Sequence, residues 1–278
     1  DYTDDGYTTQ TPQNASGLID VVNEAGREAV MTFTNTRESG TLALSKVLKG
    51  NATDSEKEFT FRVKLENAQF DTATRRDAYD VVIREANKAD VQTTVARDAN
   101  GEYVLTLKGG QTATLLDVLY GTTATVAEDD YTAEGYDAVS GQMAAVNSQT
   151  PDAAAAFTNE RYIGSIEITK ALAGTGSDKG YGKTFTFDVK LWNEHDLDLL
   201  NAQTSTMPSG VDGLTKTNEQ RDGHDVYAGT VSITMGADGQ PVSASITNIP
   251  AYTGYEIVEH DYTDDGYTTQ TPQNASGL

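Results

Sequence analysis

The sequence predicts an all-β chain made of tandem β-sandwich domains, and three observations carry that reading. Residues 1–18, DYTDDGYTTQTPQNASGL, recur unchanged as residues 261–278. A fixed internal period is the signature of a repeat architecture, so the chain reads as one period plus an overlap. Short runs alternate between apolar and polar residues, the pattern of half-buried strands. Thr, Gly, Asp and Tyr are plentiful, which suits strands and turns more than helices.

Composition narrows the partners. A length of 278 residues predicts two domains, on a prior of roughly 100–200 residues each. Lys plus Arg number 20 against 42 Asp plus Glu, a net charge of −22. Such a field repels phosphate backbones and anionic lipid surfaces, so neither nucleic acid nor membrane is expected as a partner. With no apolar run of spanning length and no leader peptide, the segment is expected to be soluble and internal to a longer precursor. The absence of cysteine excludes disulfides and thiolate metal sites.

Taken in order, REAVMTFTNTR (27–37) alternates as a strand with Ala29, Met31, Phe33 and Asn35 on its inner face. GTLALSKVLKG (40–50) places Lys46 in a row with Leu42, Leu44 and Leu48. EFTFRVKLE (58–66) is a strand, and DAYDVVIRE (77–85) is read as a strand from its β-branched and aromatic content. RDANGEYVLTL (97–107) reads as a hairpin turn and strand, with Asn-Gly at the turn. Residues 111–136 place Ala124, Val126 and Glu128 in one phase, and AAAAFTNERY (153–162) aligns Ala155, Phe157 and Asn159.

The cycle then restarts. GSIEITKALAG (164–174) matches 40–50 with Lys170 on Lys46, and KTFTFDVKL (183–191) matches EFTFRVKL. WNEHDLDLLNAQ (192–203) suggests a short helix, and 231–249 a hairpin with a Gly-rich turn. YTGYEIVEHDYTDDGY (252–267) places Glu259 on Glu128. The expected division is a complete domain at 38–162 and a second at 163–278 without its last strand. Residues 1–37 are then the end of a preceding repeat, with 19–37 equivalent to the missing strand.

Each unit thus sets a Lys, a Glu and an Asn in the inward phase. Burying the three separately would cost several kcal/mol, at roughly 1–3 kcal/mol or more per unpaired group, so they are expected to meet. A lysine in an apolar pocket loses its proton more easily and becomes a nucleophile. A glutamate kept protonated beside it can polarise a carboxamide and shuttle protons. The product is a Lys–Asn isopeptide bond and ammonia, formed without cofactor or metal.

The succession SIEITK, FTFDVKL, YEIVEHDYTDDGY and then MTFTNT or AFTNE resembles the isopeptide-forming domains of Gram-positive pilins and adhesin stalks. The likeness is to the streptococcal major-pilin type, relatives of the collagen-adhesin B-type domains, and it runs through nearly the whole chain. It implies immunoglobulin-like sandwiches in an elongated array, on the cell surface or anchored in the cell wall. It also implies that Lys46 bonds Asn159 under catalysis by Glu128, and that Lys170 uses Glu259 and an asparagine equivalent to Asn35 from the following repeat. Gly135-Tyr136 and Gly266-Tyr267 keep the family's Gly-Tyr but lack the proline before it, and their spacing from the Glu is one residue longer. Neither a polymerisation lysine motif nor a sorting signal is found, which favours repeats encoded in the gene.

The function expected is a structural repeat of a surface fibre, pilus or adhesin stalk, cross-linked once by itself and with no turnover. Its partners are adjacent repeats or copies of itself joined head to tail, 1–37 completing 163–278 of a neighbour, with a tip adhesin or host receptor beyond. The alternative is an adhesin module recognising a host protein or glycan through Tyr-rich loops such as 252–267. Lys49, Lys64 and Lys190 show that ordinary strand lysines abound, and only the agreement of two units sets Lys46 and Lys170 apart. D-x-x-D-D-G lacks the alternating acidic positions of a calcium loop, and His195, His224 and His260 lack ligand spacing.

Overall fold

The computed structural model describes residues 2–12, 15–17, 30–71, 75–174, 180–197, 199, 211–272 and 274–277. Two compact units separate within it. One comprises residues 1–47, 54–129 and 139–158, and the other residues 48–53, 130–138 and 159–278.

In the first unit, β1 (Thr8–Gln10) and β2 (Thr34–Thr36) pair as a small antiparallel ladder. The remaining strands are β3 (Ser39–Lys49), β4 (Glu58–Asn67), β5 (Ala78–Glu85), β6 (Val91–Ala96), β7 (Tyr103–Lys108), β8 (Gln111–Leu119), β9 (Thr122–Glu128), β10 (Gln142–Val146) and β11 (Asp152–Glu160). They form a four-stranded sheet, β10-β9-β4-β7, and a five-stranded sheet, β11-β3-β8-β5-β6. Alternation dictates the inner faces: Phe59, Phe61, Val63 and Leu65 of β4 are buried, while Glu58, Lys64 and Glu66 in the other phase face water. Leu42, Leu44, Tyr79, Val81 and Leu115 supply the opposing face. Tyr79 meets Tyr103 edge-on at 5.0 Å, and Phe61 meets Phe157 at 5.1 Å, so the two sheets close on one core as a β-sandwich. Each such side chain contributes about 1.5–3 kcal/mol by leaving water.

The last strand joins the first. The Thr41 N–H donates to the Pro151 carbonyl and the Arg161 N–H to the Lys49 carbonyl. The partners ascend together, so β11 runs parallel to β3. The approach demands glycine: a Cβ on Gly40 would lie 1.9 Å from the Pro151 oxygen, and one on Gly50, at φ +108°, 2.0 Å from the Arg161 oxygen.

The second unit repeats the scheme in part. β12 (Ile163–Lys170) pairs with β16 (Val242–Pro250). The opposing sheet orders β14 (Asp212–Arg221), β15 (His224–Thr234), β13 (Thr184–Asn193), β17 (Thr253–Glu259) and β18 (Ser276–Gly277). Ile168, Phe185, Phe187, Val189, Ile233 and Ile246 centre its core.

The repeated acidic turn folds alike three times. Single 3-10 turns at Thr3–Asp5, Thr132–Glu134 and Thr263–Asp265 each end on a glycine at φ 82–83°. Asp130 and Asp261 accept the N–H of Thr132 and Thr263 at 2.9 Å. These carboxylates therefore cap turns, in the manner expected of Asp ahead of a turn.

Three expectations are corrected, and one is refined. The strand at 27–37 shrinks, among its described residues, to Thr34–Thr36, and Met31, Phe33 and Asn35 are exposed, because among the described residues no second sheet covers them. Residues 97–107 do form the expected hairpin turn and strand: Arg97 bridges Tyr103 antiparallel, the Asp98 N–H donates to the Glu102 carbonyl, and β7 follows, beyond which β6 pairs with β5 and β7 with β4. Gly101 alone has positive φ there, and Asp98 accepts the N–H groups of Asn100 and Glu102, so the turn is longer than the two-residue Asn-Gly type, which needs positive φ at both. The stretch 231–249 is not a hairpin but crosses between sheets, since β15 pairs with β13 and β16 with β12. No helix forms among the described residues of 192–203, where Trp192 and Asn193 finish β13 and Glu194-His195 turn.

Candidate functional site: two buried amine–carboxylate pairs

Strand β3 delivers Lys46 to the interior because the side-chain period of two puts it in line with Leu42 and Leu44, and all three are buried. Glu128 is the last residue of β9 and stands opposite Phe61 of β4. The Lys46 Nζ lies 2.5 Å from Glu128 Oε1, with side chains 0% and 1% exposed. The ammonium also sits 3.9 Å from the centre of the Phe59 ring, which shields it from water. Burial pushes the Lys46 amine below its ordinary value, and the hydrogen bond and charge of Glu128 oppose that shift. The direction is downward because desolvation penalises the charged form. Asn159 is buried on β11, the neighbour of β3 in its sheet. Phe157, two residues earlier on the same face, is buried as well.

The second copy reproduces the pair. Lys170 Nζ lies 2.5 Å from Glu259 Oε1, and 4.4 Å from the Phe185 ring centre. These side chains are 13% and 7% exposed. Asn35 is not brought to a lysine in this chain. It lies exposed on β2 and accepts the Thr9 hydroxyl at 2.8 Å.

A carboxylate touching a buried amine can exchange a proton with it over a single hydrogen bond. That exchange turns the ammonium into a nucleophile and the glutamate into an acid, the two species an amide-forming attack requires. Separately, removing either member would leave an uncompensated buried charge, at a cost of about 3–5 kcal/mol.

Two residues with no part in the expected chemistry emerge. Asn67, at the end of β4, donates to the Tyr120 carbonyl and the Thr122 hydroxyl and accepts the N–H groups of Gln69 and Phe70. Asn193 does the same at the end of β13, donating to Ala251 and Thr253 and accepting from His195. Their recurrence at matching ends of two aligned strands was the available signal. The histidines make surface pairs, His224 with Asp196 and His260 with Asp188, each at 2.8 Å. No cluster of three or more His, Asp or Glu side chains suited to a metal occurs among the described residues.

Fold and site together define a class, all-β sandwich domains with a lysine–glutamate pair sealed between the sheets. The chain belongs to the family described as "Domain of unknown function (DUF7601)", which it matches twice, over residues 40–161 and 164–278. Among individual proteins it is similar to a pilin of Streptococcus pyogenes serotype M1, 32% identical over 114 residues. That match takes in 40% of this chain and 32% of the relative, so the chain spans about a third of the length of the pilin. A solved major pilin from Streptococcus pyogenes is 24% identical at a TM-score of 0.39, covering 56% of this chain and 62% of that one. A pilus-presented adhesin is 25% identical at a TM-score of 0.33, covering 45% and 28% respectively.

Proposed function

We propose that the chain is a structural segment of a bacterial surface fibre, pilus or adhesin stalk, whose domains lock themselves with Lys–Asn isopeptide bonds. The observation that carries this reading is the sealed Lys46–Glu128 contact at 2.5 Å. The similarity to a streptococcal pilin supports an extracellular, cell-surface setting.

The reaction proceeds once per domain. Glu128 takes a proton from Lys46, and the neutral amine attacks Cγ of Asn159. The Nζ–Cγ bond forms, Glu128 passes its proton to the departing nitrogen, the Cγ–Nδ2 bond breaks and ammonia leaves, and the second Nζ proton returns to Glu128, which ends protonated beside a neutral amide. Lys170 and Glu259 do the same with an asparagine in the position of Asn35, supplied by a neighbouring repeat. The protein is thus its own substrate and has no turnover.

The bond joins a first strand to a parallel last strand, so tension entering at one and leaving at the other is carried by covalent links. Closing a loop of roughly 100 residues contributes about 4.7 kcal/mol by the chain-entropy relation used for disulfides. Unlike a disulfide, the link resists reduction. Intact mass tests the reading: the chain should weigh one ammonia less than its sequence, and Lys46→Ala should restore the full mass. A full mass in the unsubstituted chain would remove the proposal.

A further inference from the structure

Strand β6 is the outer strand of its five-stranded sheet, and the strands before and after it in the chain, β5 and β7, are both placed. The Arg97 N–H donates to the Asp77 carbonyl. In the β5–β6 register, Thr93 and Val95 therefore exchange hydrogen bonds with β5. The N–H and C=O groups of Gln92 and Thr94 point away from the sheet, and nothing among the described residues bonds them there. Past Ala96 the edge is taken up, since Arg97 bridges Tyr103 and the Asp98 N–H donates to the Glu102 carbonyl.

Other strand edges are guarded. The Gln142 side chain on β10 both donates to and accepts from the Ala156 backbone on β11. On β7 the Lys108 N–H donates to the Gln111 side chain. β14 carries Lys216, Glu219 and Arg221, and its ladder with β15 breaks register twice. Charges and irregularities of this kind keep an edge from pairing. β6 has none of them. Its sequence, Val-Gln-Thr-Thr-Val-Ala, is uncharged and β-branched at four of six positions, which favours a ladder, and Val91 is 57% exposed.

We propose that β6 is a docking edge for β6 of a second copy of this chain, the two strands pairing antiparallel about a two-fold axis at Thr93. An axis normal to the sheet sets one residue opposite itself. Centred on Thr93, it pairs Gln92 with Thr94 of the second copy and Thr94 with its Gln92, four hydrogen bonds that use the outward groups of both residues. Val91 then stands against Val95 of the second copy. Asp90 comes next to Arg97 of the second copy at both ends, and Arg97 has no ion pair among the described residues of its own chain. A parallel pair would set Asp90 by Asp90 and Arg97 by Arg97. A centre at Thr94 would need the edge beyond Ala96 and would set Asp90 opposite Asp98, which disfavours it. The interface is isologous and closes at the dimer, merging two five-stranded sheets into one. It links fibres side by side and needs no Lys46–Asn159 bond.

The experiment follows the 278-residue chain by sedimentation at rising concentration. The net charge of −22 on each copy opposes approach, so the buffer holds about 0.15 M salt, which screens charges beyond about 8 Å. The expected result is a monomer–dimer equilibrium with nothing larger. Because the chain has no cysteine, single cysteines report the register. Thr93→Cys should give a disulfide-linked dimer on mild oxidation, since opposed residues of a non-hydrogen-bonded pair have Cα atoms about 4.5 Å apart, within disulfide reach. Gln92→Cys, opposite Thr94 rather than itself, should stay monomeric on the same gel. Gln92→Lys combined with Thr94→Lys sets lysine against lysine and should leave a folded monomer. Monomers of the unsubstituted chain at every concentration overturn the proposal. So does a dimer indifferent to the two lysines, or equal cross-linking of the two cysteine variants. Should the lysine variant unfold, the cysteine pair decides alone. Intact mass of the same samples reads the Lys46–Asn159 chemistry separately.

Discussion

Replacing Glu128 with Gln isolates the proton shuttle from the packing. The amide fills the space of the carboxyl and can still accept the Lys46 N–H, whose Nζ lies 2.5 Å from Oε1. It cannot take the proton. Glu128→Gln should therefore keep the full mass of its sequence and lack the bond. The missing loop closure costs about 4.7 kcal/mol. The buried amine, now facing a neutral group, loses its charge instead of exacting the full penalty of an unpaired ion. A shift of roughly 2–8 °C per kcal/mol, depending on domain size, makes the expected loss at least about 10 °C. Calorimetry of the whole chain, paired with intact mass, reads both effects. A variant that sheds ammonia at the normal rate, or melts with the unsubstituted chain, would refute the role given to Glu128.

Asn159→Ala keeps the Lys46–Glu128 pair without the bond and exposes its titration. Burial lowers the Lys46 value in the folded state, so the unfolded chain binds the extra proton in the window between that value and the ordinary 10.5. Stability of this variant should be flat below the window and rise with pH through it, and a denaturant series that falls across it contradicts the buried amine. Gly50→Ala should cost about 1–3 kcal/mol for its backbone conformation, and more for a Cβ 2.0 Å from the Arg161 oxygen. Gly101→Ala, with positive φ but nothing within 4 Å, should show the smaller cost alone when denaturation midpoints are compared. Asn67→Ala and Asn193→Ala should each destabilise by about 2–4 kcal/mol, from several hydrogen bonds at about 0.5–1.5 kcal/mol each plus unpaired backbone groups. Chemical denaturation would show it, and a neutral effect would deny the two amides their structural part.

The inner residues of each strand were legible because a period of two assigns faces without knowing the partner strand. Leu42, Leu44, Lys46 and Glu128 fell in their phases for that reason, and the two copies corroborated each other. Pairing was less legible. The chemistry of a Gly-rich turn is the same whether the chain returns along one sheet or crosses to the other, so the crossing at 231–249 read as a hairpin, whereas Arg97 and Tyr103 do pair across the Asp98–Gly101 turn. Asn35 shows a different limit. Its phase matches that of Asn159, but burial also requires a second sheet, and the alternation of one segment does not report whether that sheet is present. The 18-residue copy makes the same point. Tyr262 and Tyr267 meet Phe185 at 4.8 and 5.4 Å, while their duplicates Tyr2 and Tyr7 are exposed. Asn67 and Asn193 went unread because an asparagine at a strand end looks like ordinary turn chemistry.

The central claim is the bond between Lys46 and Asn159, and mass spectrometry of protease fragments tests it most directly. The account predicts one branched peptide in which the fragment holding Lys46 is joined to the fragment holding Asn159, lighter than their sum by one ammonia. Recovery of the two fragments separately at their full masses, from correctly folded protein, would contradict it.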